Sequence, residues 1–274
     1  MGFSDELGNR MKEYYENIPK TKLMRRCPVV LRIDGKSFHT FTRGFQKPFD
    51  SVLMKSMQQT MEYLCKNIQG CVFGYTQSDE ITLILIDYQT LTTDAWFGYE
   101  VQKLCSVSAS MATVAFNKFF AKNVDAYDAA NIEDWDCGST NREFSEDEKI
   151  ALKYIKTYNE SLVNGAMFDS RCFNIPKEEV CNLIYWRQSD ASRNSIQMVG
   201  RAYFSHGELK DKSCNDIQDM LMQTYGVNWN DFPIMCKRGS ACVYKEGKWV
   251  IDTEMPILKG TDRNYVNQYI FVGE

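Results

Sequence analysis

Histidine is nearly missing from this chain: His39 and His206 are the two in 274 residues. That leaves no material for a His-rich zinc centre. The ten cysteines include no pair at CxxC spacing, so the paired thiolates of a structural zinc site are lacking too. Any catalytic metal is therefore expected on oxygen ligands. Long apolar runs are also lacking. The best, Ile81 to Ile86, falls far short of the roughly 20 residues that span a bilayer, so no membrane partner is expected. The opening stretch MGFSDELGNR does not follow the basic-then-apolar order of a secretory signal, and the scattered cysteines are expected to be reduced, in a cytoplasm. Nor is there a surplus of positive charge, the net charge being −4. A nucleic-acid partner would have to meet a local basic surface. Acids concentrate between Asp125 and Glu148, and bases at Lys20, Lys22, Arg25 and Arg26 and again at Lys237 and Arg238.

What is present is a regular alternation of strand and helix patterns. The spacing of Leu7, Met11 and Tyr14 predicts a short amphipathic helix from Ser4 to about Asn17. The β-rich run Pro28 to Ile33 leads straight into an Asp34-Gly35 turn. Asp50 can cap a helix carrying Leu53, Met57, Met61, Leu64 and Ile68 at helical spacing, ended by Gly70. Cys71 to Tyr75 and Ile81 to Ile86 read as a hairpin joined by Thr76 to Glu80. Phe97 to Lys122 reads as a long helix, followed by an acidic, polar stretch to about Asn164 and a strand from Ala166 to Phe173. A helix begins near Pro176 and Lys177. This β-α-β-β-α-β order is the ferredoxin-like plan, an α/β (α+β) fold with one antiparallel sheet covered on one face by two helices. Further helix is expected to about Tyr225, with Ile217, Met220 and Leu221 as its apolar face. Then come two strands, Ala241 to Lys245 and Lys248 to Asp252, turned at Glu246-Gly247. A main body over 1–190 and a C-terminal accessory region over 191–274 follow from this reading.

Two acidic sites lie where a strand gives way to a turn: Asp34, and Asp79 with Glu80. A ferredoxin-like sheet places that first strand beside the hairpin, which brings the acids together. Paired carboxylates repel, and a divalent cation removes the cost. Magnesium suits oxygen ligands, and two ions can share two aspartates in phosphoryl or nucleotidyl transfer. Successive strand side chains face opposite ways, so Asp79 is assigned as ligand and Glu80 as support. Gly35, without a Cβ, can offer its carbonyl. In isolation each acid is equally a turn former; their joint placement is what points to a site. Gly35-Lys36-Ser37 is similar to the end of a Walker A loop, but Val30 stands where that motif needs glycine, so a P-loop is excluded. Arg43 and Lys47 are candidates for triphosphate contacts, His39 lies close to the first acidic turn, and Phe45 is a candidate for base stacking.

Several separated segments together resemble the tRNA-histidine guanylyltransferases and their relatives, the 3′-to-5′ tRNA polymerases. They are Arg32-Ile-Asp-Gly-Lys-Ser-Phe-His39, Phe45-Gln-Lys-Pro48, Gln77-Ser-Asp-Glu80, and Phe168-Asp-Ser-Arg171 followed by Trp186-Arg-Gln188. The similarity is firm from Leu23 to Asn194 and looser over Lys210-Asp-Lys-Ser213 and Lys237-Arg-Gly239. It implies a polymerase-like palm in which Asp34, the Gly35 carbonyl and Asp79 hold two magnesium ions. By the same resemblance Lys36, His39, Phe45, Lys47, Ser78 and Lys103 would meet nucleotide, and Arg187, Asn194, Lys210, Lys237 and Arg238 would meet RNA. The implied partners are tRNA with ATP, GTP and other NTPs, and a homo-oligomer, commonly a tetramer. The implied reaction activates a tRNA 5′-monophosphate with ATP or GTP, after which the 3′-hydroxyl of an incoming NTP attacks it. Where the eukaryotic guanylyltransferases carry His-Ile-Asn-Asn, this chain has Ser192-Arg-Asn-Ser195, with Asn194 alone matching. That is more similar to the bacterial and archaeal relatives that repair 5′-truncated tRNAs. Two other readings stay open on the residues: a nucleotide cyclase with a similar palm, and a non-catalytic RNA-binding module.

Overall fold

The computed structural model describes residues 5–132 and 144–273. The chain opens with α1 (Glu6–Met11), whose cap Asp5 accepts a hydrogen bond from the Gly8 amide at 2.8 Å, and a π turn over Lys12–Glu16 that buries nothing. Ser4, where the sequence started this helix, lies outside the described residues. Strand β1 (Val29–Gly35) follows, then the single turn α2 (Phe38–Phe41) and α3 (Ser51–Asn67), capped by Asp50 as its sequence signals. Strands β2 (Cys71–Gln77) and β3 (Glu80–Leu85) make the hairpin. The long α4 (Val101–Asn131), α5 (Glu146–Asn164), β4 (Phe168–Asn174) and α6 (Lys177–Tyr203) come next. After α7 (His206–Leu209), α8 (Cys214–Tyr225) and α9 (Ile234–Arg238), strands β5 (Ser240–Lys245) and β6 (Lys248–Asp252) and helix α10 (Asn264–Ile270) close the chain.

The sheet order is β4-β1-β3-β2-β5-β6, antiparallel at every pairing. Its first four strands are the ferredoxin-like arrangement. The coverage differs from the expectation of one covered face. On one face α3 and α4 pack Met57, Met61, Leu64, Leu104, Phe116 and Phe120 against Leu31, Ile33, Ile81 and Leu83. On the other, α6 and α10 pack Val180, Ile184, Val266 and Ile270 against Val30, Phe73 and Ile84. The reason is legible in β1, whose Val29, Val30 and Leu31 are consecutive and all wholly buried: a strand apolar on both sides needs two layers. The boundary expected at 190 falls inside α6, and β5 and β6 extend the same sheet.

Two other elements depart from the pattern reading. The stretch to Asn164 contains α5, begun by a capping box between Ser145 and Glu148 and seated through Ala151, Ile155 and Tyr158; residues 133–143 of the acidic run lie outside the described residues. Helix α4 starts later than expected, because Trp96–Tyr99 forms a tight turn with Phe97 at φ 49°. By length and mean hydropathy α4 would suffice to cross a membrane, although charged and polar residues interrupt its apolar positions. Its Leu104, Phe116 and Phe120 pack on the sheet, while Val114 is exposed.

Candidate active site at the strand ends

Antiparallel register builds the site. Pairing of β1 with β3 sets Asp34 opposite Glu80, and pairing with β4 sets Asp169 on its other side. The chain leaves β1 through Lys36-Ser37 and joins β2 to β3 through Ser78-Asp79. The Gly35 amide donates to the Asp79 carbonyl at 3.1 Å, which ties these two turns together at one corner of the sheet. Each turn holds a serine with left-handed backbone, Ser37 at φ 53° and Ser78 at φ 52°. For a residue with a Cβ that conformation costs about 1 kcal/mol or more, and it persists where surrounding structure imposes it. The Ser78 hydroxyl donates to Asp79 Oδ1 at 3.0 Å. Gly35 has a further reason to be glycine: a Cβ there would lie 2.2 Å from the Phe38 ring.

Burial raises the Asp34 carboxyl above the ordinary carboxylate range, and the neighbouring Asp79, Glu80 and Asp169 raise it further, against a small opposing effect of Arg171. Asp79 is raised by burial as well; its bonds from Ser78 and from its own amide offset part of this, and Glu80 adds to it. Both groups thus favour an added positive charge. Among the described residues no three His, Cys, Asp or Glu side chains gather tightly enough to hold an ion by themselves. A donor set of two carboxylates and a backbone carbonyl fits magnesium, which keeps waters and phosphate oxygens in its shell.

Glu80 is 5 % exposed and takes no part in that open corner. Arg32 Nη2 donates to it at 2.6 Å, and Arg187 grips both its oxygens, Nε at 2.8 Å and Nη2 at 2.9 Å. Arg187 also reaches Asp190 Oδ2 at 3.1 Å, and Asp190 receives Arg193 and Asn194. Arg187, expected at RNA, is therefore a buried strut, its guanidinium already spent on two carboxylates.

Two cavities flank the corner. One, about 120 Å³, lies between the hairpin turn (Thr76, Gln77, Ser78), α3 (Leu53, Met54, Met57) and α6 (Asn194, Met198). The other, about 480 Å³, lies between Lys36, Ser37, Thr40 and Arg43 on one side and Thr157, Ser161 and Asn164 of α5 on the other. Lys36, His39 and Ser78 are exposed at or next to the two turns, Lys47 is exposed in the loop before α3, and Asn194 lines the smaller cavity.

Several other residues expected at nucleotide or RNA are taken up within the protein. Phe45 is 6 % exposed, stacked on Phe120 at 5.7 Å and edge-on to Tyr158 at 5.0 Å, so its faces are closed to a base. Lys103 sits against Phe97 at the start of α4, which runs beside β4 from the Cys172 end; it precedes Thr113, the partner of the Phe168 amide, by roughly 15 Å of helix and lies away from the acids. Lys237 is buried, donating to the Asn230 carbonyl and packed over Trp229. Arg238 is half-buried, with its Nε buried and unpaired, while Lys210 is exposed. In the N-terminal basic cluster Arg25 is committed to the buried Asp87 carboxylate, and the Arg26 guanidinium donates to the Asp87 and Thr90 carbonyls. Conversely, Arg32, Asp169 and Arg171 surround Asp34 by register, with Trp186 against Arg32, and the sequence alone assigns none of them a site role. The two-residue alternation Arg32/Asp34 and Asp169/Arg171 was the signal that could have found three of them.

Known proteins resemble this chain in sequence and fold. The profile of the Thg1 family, tRNAHis guanylyltransferase, matches residues 8–176. The tRNA(His) guanylyltransferase of Saccharomyces cerevisiae is 26% identical over 81% of this chain and 85% of its own length. An uncharacterized protein, R259, of Acanthamoeba polyphaga mimivirus is 26% identical over 86% of this chain and 76% of its own. Among solved structures, a bacterial tRNA(His) guanylyltransferase (Thg1)-like protein in complex with ATP superposes with a TM-score of 0.78 at 40% identity, covering 97% of this chain and 100% of that one. The yeast enzyme's crystal structure, at 21% identity, shares the fold with a TM-score of 0.61, covering 87% of this chain and 94% of that one. The palm-like sheet, the paired acids at its corner and these matches together place the chain in the Thg1 family of tRNA guanylyltransferases.

Proposed function

We propose that this chain adds nucleotides in the 3′-to-5′ direction to the 5′ end of tRNA, templated by the opposite strand, and so repairs 5′-truncated tRNAs. The observation that carries the reading is the corner where Asp34 and Asp79 are tied together by the Gly35-to-Asp79 backbone bond. Asp34, Asp79 and the Gly35 carbonyl would hold two magnesium ions. Magnesium held there would supply charge neutralisation at the reacting phosphates. The chain's own residues do the rest. Ser78 and the exposed Lys36, His39 and Lys47 would meet triphosphate, and the cavity between the hairpin turn and Asn194 would take a base. Activation joins the tRNA 5′-phosphate to the α-phosphate of ATP or GTP with release of pyrophosphate. The 3′-hydroxyl of the incoming NTP then displaces the nucleoside monophosphate and gives up its proton.

Two observations favour repair over addition of a single guanylate. Ser192 and Ser195 replace residues of the eukaryotic motif, and the ATP-bound and GTP-bound bacterial Thg1-like proteins are 40% and 36% identical to this chain. A 5′-monophosphorylated tRNA lacking its first nucleotide, incubated with ATP, NTPs and magnesium, is expected to grow at the 5′ end. No extension across several tRNAs would sink the proposal, and preference for full-length tRNA-histidine would shift it to guanylylation. A cyclic product from NTP alone would favour the cyclase alternative. We further propose a cytoplasmic enzyme, consistent with the free thiols among the described cysteines, and an oligomer, for which the exposed Val114 on the apolar α4 is a contact candidate.

A further inference from the structure

Resting on that reading, we propose that Trp186, Arg171 and Arg32 form the platform for the 5′-terminal nucleotide of the RNA: the indole stacks on the terminal base and Arg171 takes the adjoining phosphate. Arg32 and Asp34 share one face of β1, and the register places Arg171 opposite Arg32 just as it places Asp169 opposite Asp34. Two arginines thus lie one pleat from the acids, about 7 Å along the strand. Like charges directly opposite across a sheet destabilise it. Arg32 is compensated by Glu80 at 2.6 Å. Arg171 has a weaker partner, Asp169 at 3.3 Å, with both side chains more than half exposed (58% and 60%). A phosphate fits that incompletely neutralised guanidinium.

Trp186 completes the chemistry. It stands on α6 between the buried Ile184 and Arg187, yet is 53% exposed. The Arg187 and Arg32 guanidinium carbons lie 4.7 and 5.4 Å from its ring centroid. Those arginines are already held by Glu80, so the indole is not needed to satisfy them. They position it, and the remaining indole surface faces solvent on the sheet face that carries Arg32 and Asp34. A planar base next to a phosphate is the ligand that matches an aromatic face next to a cation.

The test is binding of 5′-monophosphorylated tRNA without turnover. Trp186→Ala is expected to weaken it about tenfold or more, the loss of one base stack, and Trp186→Phe to retain most of it. The KM for ATP should not move in either. Arg171→Ala should weaken 5′-phosphorylated RNA while leaving 5′-hydroxyl RNA unchanged. Should Trp186→Ala not fold, the indole emission quenched by RNA in the wild type and lost in Trp186→Phe gives the same reading. Unchanged RNA affinity in Trp186→Ala, equal quenching in Trp186→Phe, or equal loss for both RNA ends in Arg171→Ala overturns the platform. A wild type that binds RNA through Trp186 yet extends nothing would overturn the proposed reaction and leave the platform standing.

Discussion

At Asp34 and Asp79, burial and mutual repulsion disfavour the ionised forms, and this has two measurable sides. Asp34→Asn or Asp79→Asn is expected to lower nucleotide addition about a hundredfold or more in a 5′-extension assay, because charge stabilisation at the reacting phosphate is lost. In magnesium-free buffer the same Asp79→Asn is expected to raise the melting temperature at pH 7. The raised carboxyl supports the fold while protonated and loses that support as pH rises through its folded-state value, so the variant's advantage must shrink on acidification. A melting temperature that falls at pH 7, or an advantage that grows in acid, would contradict the electrostatic account. Arg187 gives the opposite case. Removing it leaves Glu80 buried with Arg32 alone, and Arg187→Ala should cost about 3 kcal/mol in urea unfolding, well beyond what an exposed RNA-contacting arginine would show.

At the scale of elements, Asp50 joins three pieces of chain. Its Oδ1 caps α3 through the Leu53 amide at 2.8 Å, and its Oδ2 receives the Gln46 amide at 3.0 Å and the Tyr158 hydroxyl of α5 at 2.7 Å. Asp50→Ala removes the cap and strands two buried donors, an expected loss of about 3 kcal/mol by denaturant titration. The cap itself was readable, as were β1, the β2-β3 hairpin and the acids at their ends, because period and turn chemistry are local. What was not readable depends on distant partners. Helix α5 hides behind an acidic first turn, and its three inward residues have meaning once α4 is beside them. Phe45 looks like a free loop aromatic until Phe120 and Tyr158 close on it. Arg187 finds Glu80 across 107 positions of sequence, and no pattern announces that.

For the whole molecule, chelation and self-association are the informative measurements. Removing divalent cations should abolish extension, and magnesium should restore it without refolding, since the acids sit on strand ends framed by a completed sheet. Val114, 70% exposed in the middle of α4, makes Val114→Glu the probe of assembly: light scattering is expected to show a larger species for the wild type and a smaller one for the variant. A wild-type monomer would dismiss the oligomer. The chain of charges from Arg32 through Glu80, Arg187 and Asp190 to Asn194 has a consequence at this scale. It begins one pleat from Asp34 and ends on the wall of the base-sized cavity, crossing from sheet to helix on the way. The wall of the cavity on α6 and the strand that carries Asp34 are therefore joined by side-chain bonds as well as by packing.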